Sequence, residues 1–233
     1  VWRLSFASLP VEDQKWIIGN LVGPLSQQAA FIDGLTHFLF KGSLFSKESP
    51  PDPSVLDALA KVSVELWQAV RQNPTEGDIA KLGTEDWLGL AINRPAGRIV
   101  EFWLRCTDHW RKPDDPPTSW PPAFAASFDQ IVEAATPADW QGLGILGRRL
   151  SFARAVAPDW TRTKLYPWLD FNAAGEKAWP LFHALVSYGG LNRDLLLEIP
   201  PYFLTALPWF AKAEEKATRS FLAMVGLIIY PGL

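Results

Sequence analysis

Across residues 54–73 the apolar side chains fall at Val55, Leu56, Leu59, Val62, Leu66, Trp67 and Val70. Steps of three and four place them on one face of a helix. Pro53 and Ser54 mark its start, and Asn73-Pro74 marks its stop. The same spacing recurs over 28–40, 94–111 and 127–135, and Thr136-Pro137 then opens the next helix. Further helices are predicted over 140–155, 176–188, 202–212 and 214–229. No segment sustains the two-residue alternation of a half-buried strand, and no Asn-Gly or Asp-Gly hairpin turn is present. The pattern predicts an all-α fold.

Proline punctuates this pattern. The clusters at 50–53, 113–122 and 200–201 read as connectors between helices. The stretch 112–122 is the longest candidate loop and the place where the chain would divide, if it divides. One internal echo stands out. Asp86, Trp87, Gly89, Leu90 and Ile92 match Asp139, Trp140, Gly142, Leu143 and Ile145 at a constant offset, and a third Asp-Trp pair lies at Asp159-Trp160. Helical units repeating on that scale predict an irregular α-solenoid or stacked helical hairpins of HEAT-like type, with a compact helical bundle as the alternative. We read residues 1–233 as one helical array cut from a longer polypeptide.

Composition narrows the chemistry. Twelve tryptophans stand against three histidines, one cysteine and one methionine. Large contact residues are plentiful and the usual reactive side chains are scarce. With 22 basic and 25 acidic residues the formal net charge is −3, which argues against nucleic acid as a partner. Cys106 is alone, so no internal disulfide forms, and a reducing cytoplasm is the expected compartment. The longest apolar run, 221–230, is about half of the roughly 20 residues a membrane span needs, so no membrane association is expected.

No catalytic, cofactor or metal site is expected from the motifs. His37, His109 and His183 lack ligand spacing, and Asp108 and His109 occupy adjacent helix positions that point in different directions. Cys106 reads as a buried, inert thiol. Gly142, Gly144 and Gly147 spell Gly-x-Gly-x-x-Gly, but no strand pattern precedes them. They read as small residues for close helix packing, not a dinucleotide site. The basic residues that stand out are Arg94, Arg98, Arg148, Arg149 and Arg154, read as an anion-binding or partner-binding ridge; the leading contact candidates are Arg94, Arg98, Arg148 and Arg149, together with Trp110 and Trp120, which flank the proline-rich loop as exposed anchors. The competing reading of the arginines is a solvated face paired with Glu101, Asp139 or Asp159.

Three strings follow one another along the chain: NRPAGRIVE at 93–101, LGRRLSFARAVAPDW at 146–160 and LYPWLD at 165–170. This succession, over roughly 87–209, resembles the helical C-terminal regions of large bacterial antiphage defence proteins that carry a sirtuin-type NAD-cleaving domain at their other end. The resemblance implies a non-catalytic scaffold or sensor module. Its partner would be a phage protein or the effector domain of its own parent chain, with self-association as a further option. Any NAD chemistry would lie outside this segment. The alternative is a helical enzyme or small-ligand-binding domain with a pocket lined by Trp and Arg. A purely structural spacer is a third reading.

Overall fold

The computed structural model describes residues 6–23, 29–40, 45, 51–73, 87–112, 114, 117–190, 192–211 and 215–229. Among these residues the regular elements are helices and no strand occurs, so the fold is all-α as predicted. In chain order they are α1 (Val11–Ile17), which widens into a π-type turn over Ile18–Val22, α2 (Ala29–Phe40), α3 (Pro53–Gln72), α4 (Trp87–Ile92), α5 (Pro95–Trp110), α6 (Pro122–Ile131) and α7 (Pro137–Arg148). Then follow α8 (Leu150–Val156), α9 (Pro158–Trp160) running into wide turns over Thr161–Leu165 and a tight turn over Tyr166–Leu169, α10 (Phe171–Ala174), α11 (Trp179–Tyr188), α12 (Arg193–Glu198), α13 (Pro200–Phe210) and α14 (Glu215–Ile229). Gln28, Pro50, Pro74, Asp86, Pro113, Lys212 and Glu214, which enter the predicted boundaries, the connectors and the echo, lie outside the described residues.

The prolines do more than connect. Pro53, Pro95, Pro122, Pro137, Pro158 and Pro200 each occupy the first residue of a helix. There the missing N–H would have had no partner and the fixed φ already suits the helix. This corrects two boundaries: α6 begins at Pro122 and not at 127, and α13 begins at Pro200 and not at 202. Polar caps hold several starts. Asp52 accepts from the Ser54 N–H at 2.9 Å at the head of α3. Thr136 and Asp139 form a reciprocal capping box on α7. The predicted helix over 140–155 is broken at Arg149 (φ −105°, ψ 21°), which separates α7 from α8.

Helix α7 occupies the centre. It packs against α3, α4, α5, α6, α8 and α11. Its residues are buried almost throughout, including Ala138, Asp139, Gln141 and the run from Gly142 to Gly147. The three glycines explain how so many neighbours fit. A Cβ on Gly142 would meet the Ile131 side chain at 3.0 Å, one on Gly144 would lie 3.3 Å from the Trp87 carbonyl oxygen, and one on Gly147 would lie 2.1 Å from the Leu181 carbonyl oxygen. Each glycine admits a different helix: α6, α4 and α11 in turn. The Gly-x-Gly-x-x-Gly string is therefore a packing device, as the absence of a preceding strand implied. The echo also has a spatial meaning, since its two copies lie in α4 and α7, which touch. Trp87 and Trp140 meet edge to face at 6.1 Å.

Two aromatic clusters flank α7. In the first, Trp103 contacts Trp67, Phe124 and Phe128. Its indole N–H donates to Ser63 Oγ at 2.7 Å, while that of Trp67 donates to Gln130 Oε1 at 2.9 Å. In the second, Phe221 stacks on Phe203 and Phe210, Phe182 packs edge-on or tilted against them, and Trp179 lies against Phe210. Buried indoles carry a donor that must be met, so the first cluster is fixed by hydrogen bonds as well as by shape.

Candidate functional site

Helix α5 buries one stripe, from Ala96 and Gly97 through Ile99, Val100, Trp103 and Leu104 to Thr107. Its flank carries Arg98, Glu101, Arg105 and Asp108, again at steps of three and four, so these four share a face. The C-terminal end of α7 delivers Arg148 to the same place, and the break at Arg149 turns a second guanidinium inward. A depression of about 200 Å³ results, lined by Phe40, Ile92, Gly97, Arg98, Glu101, Arg105 and Arg148. Two further hollows adjoin it through shared residues. One is lined by Arg105, Asp108, Arg149 and Phe152, and the other by Arg148, Arg149, Phe152 and Asn192. Together they form an arginine-lined groove. Gly97 lets α4 form its wall, since a Cβ there would lie 2.0 Å from the Ala91 carbonyl oxygen.

The arginines differ in how they are held. Arg98 is a clamp: its side chain is 9% exposed and pairs with Asp33 at 2.8 Å. Its guanidinium also donates to Thr36 Oγ1 at 3.3 Å and to the Asn93 carbonyl, which ties α5 to α2. Arg149 donates to Glu101 Oε1 at 2.9 Å, and Arg105 reaches the same oxygen at 3.5 Å. The second carboxylate oxygen of Glu101 is buried and accepts nothing among the described residues. Arg148 makes no ion pair among the described residues and is half-buried at the rim. Arg94 precedes α5 in an extended conformation. Asp139 does not serve this ridge; it is fully buried and pairs with Arg71 at 2.8 Å.

The tryptophan candidates divide. Trp110 is half-buried and stacks on Phe124 at 5.6 Å. It lines a separate hollow of about 310 Å³ with Thr107, Arg111, Lys112 and Trp120. Trp120 is not an exposed anchor: only 4% of it reaches the surface. Its ring lies flat on Phe128 at 4.0 Å and meets Trp160 edge to face at 5.5 Å. The apolar area gained by that stack outweighs any preference for the loop's exterior.

The reactive side chains are dispersed. Cys106 is buried, and burial, with Asp57 adding to it, pushes its thiol far above the usual range, so it stays protonated. His183 is buried and stacks on Trp179, whereas His37 and His109 are exposed. Among the described residues no three His, Cys, Asp or Glu side chains gather as a metal cluster would. No described helix is long and apolar enough to cross a membrane.

Arg154, one of the arginines the sequence singles out, belongs to a second cluster whose other members the sequence pattern does not bring together. Glu198, at the end of α12, accepts from Arg154 at 2.7 and 2.8 Å, from Arg162 at 2.7 Å and from the Tyr166 hydroxyl at 2.6 Å. The Arg154 hydrogen bonds foremost, then those of Arg162 and Tyr166, hold its carboxyl well below the usual carboxylate range despite its partial burial. Burial, and then the bond to Glu198, raises the Tyr166 phenol. Comparison of the chain with protein-family models, curated proteins and solved structures gives no match in any of the three.

Proposed function

We propose that this chain is a non-catalytic helical scaffold and sensor module that works by protein contact, with the arginine groove beside α5 as its contact surface. The observation that supports this reading is the state of that groove. Arg105, Arg148 and Arg149 line it, Arg105 and Arg149 share Glu101 as their ion-pair partner, and Arg148 makes no ion pair among the described residues. Guanidinium groups held open on a rigid helical frame suit an acidic partner. The setting we propose is a cytoplasmic bacterial antiviral defence protein. Its support is the resemblance over 87–209, with a phage protein or the parent chain's own effector domain as the partner.

A second reading, a small-ligand-binding domain, draws support from the same groove, because Phe40 and Ile92 give it an apolar wall. Co-purification from infected and uninfected bacteria tests the contact reading, with wild type, Arg148→Glu and Arg105→Glu as baits of matched circular dichroism. A partner captured by wild type and lost on either charge reversal supports contact through the groove. Equal capture by all three baits removes it.

A further inference from the structure

We infer that the groove between α5 and the end of α7 is a phosphate-recognition site, taking a phosphate monoester whose carrier lies against Phe40 and Ile92. The inference deepens the contact reading above and rests on the groove being the working surface.

The argument begins with charge. Five guanidinium groups, Arg98, Arg105, Arg148, Arg149 and the Arg111 that pairs with Asp108, meet three carboxylates, Asp33, Glu101 and Asp108. The surplus is two positive charges, the complement of a phosphate dianion and one more than a carboxylate supplies. The groups are also placed differently from a solvated face. The Arg98 side chain is nine-tenths buried, which fixes one wall, and its bonds to Asp33, Thr36 and Asn93 leave its Nε buried without a partner. Arg105 and Arg148 come from different helices and converge on the same depression, so a tetrahedral anion between them would be gripped from two sides.

Glu101 holds two of the arginines in place. Its Oε1 is engaged by Arg149 and Arg105, while its Oε2 is buried and bare among the described residues. A depression of about 200 Å³ has room for several water-sized volumes of about 30 Å³ each, enough for a phosphate group and the first atoms of its carrier. Phe40 and Ile92 provide the apolar contact for those atoms. The carrier is either a free organic phosphate or a phosphorylated side chain of a partner. Both present the same group to the same arginines.

The test uses ³¹P NMR line broadening of inorganic phosphate over the full chain at constant ionic strength, with chloride as the balancing anion. Wild type is expected to broaden the signal saturably. Arg148→Ala, which removes no ion pair among the described residues, is expected to weaken binding at least tenfold, as is Arg105→Ala. Arg162→Ala, at the other cluster, is expected to leave it unchanged. The absence of saturable broadening in wild type, or equal affinity in wild type, Arg148→Ala and Arg105→Ala, overturns the inference. A phosphoserine peptide and a nucleoside monophosphate then identify the carrier by which of them binds more tightly than inorganic phosphate. Phosphate binding combined with undiminished partner capture by Arg148→Glu leaves this inference standing and removes the contact reading. Capture lost on charge reversal with no phosphate binding does the reverse.

Discussion

Two glutamates, each ringed by arginines, sit on opposite sides of α7 in sequence, and they are used differently. Glu198 is saturated: both its oxygens accept, from Arg154, Arg162 and Tyr166, and the cluster fastens α12 to α8 and to the segment that follows it. Glu101 is half-used. One oxygen holds Arg149 and Arg105, the other is bare among the described residues, and Arg148 stands beside it without an ion pair there. The same residue types therefore make a fully bonded lock in one place and an incompletely bonded cluster, our proposed cradle, in the other. What separates them is whether every donor and acceptor has been met within the fold.

The largest expected effect falls on the helix that carries both sides. Gly147→Ala would place a Cβ 2.1 Å from the Leu181 carbonyl oxygen and force α7 away from α11. A loss of about 3 kcal/mol in urea unfolding is expected from overpacking, against the gain of about 1 kcal/mol that alanine brings to an unhindered helix. Next comes the lock. Glu198→Gln should cost about 2 kcal/mol, since it weakens charge-assisted bonds to Arg154 and to the buried Tyr166 hydroxyl while the half-exposed Arg162 contributes less. Acid sharpens the same point. The folded carboxyl of Glu198 titrates well below the unfolded value of about 4.3, so its contribution is present in full above that value and lost as pH falls beneath it. The stability gap between wild type and Glu198→Gln should be constant above about pH 5 and narrow steadily below about pH 4.

On the cradle the effects on folding should be small. Glu101→Gln is expected to cost less than about 1 kcal/mol, because its partners Arg149 and Arg105 are both more than two-fifths exposed. Arg148→Ala should change unfolding free energy by less than about 0.5 kcal/mol, the range of a surface substitution away from any network. A large destabilisation by Arg148→Ala would place the groove with the structural lock and erase the distinction between the two clusters.

Much of this was legible in the chain. The stripes of α3 and α5 announce their buried faces, and NRPAGR contains both the helix start at Pro95 and the Arg98 clamp. Arg148 and Arg149 stand out in the sequence because they follow the second copy of the Asp-Trp echo. Arg105 and Glu101 were within reach as site residues, since they continue the Arg98 flank at helical spacing. The rest depends on contacts that local pattern does not carry. Trp120 lies beside a proline loop in sequence but under Trp160 and against Phe128 in space. Arg149 breaks a helix with neither glycine nor proline at the break to signal it. Glu198 meets Arg154 across 44 residues, a pairing no periodicity encodes.

The most direct measurement is urea unfolding of wild type, Arg148→Ala and Arg162→Ala, each with and without phenyl phosphate at matched ionic strength. A ligand that binds only the folded state raises its stability by an amount set by concentration and affinity. The expected result is an increment in wild type and in Arg162→Ala, the latter starting from a lower baseline, and none in Arg148→Ala despite an unchanged baseline. Equal increments in all three, or none in any, would contradict the assignment of the Glu101 cluster to recognition and the Glu198 cluster to the fold.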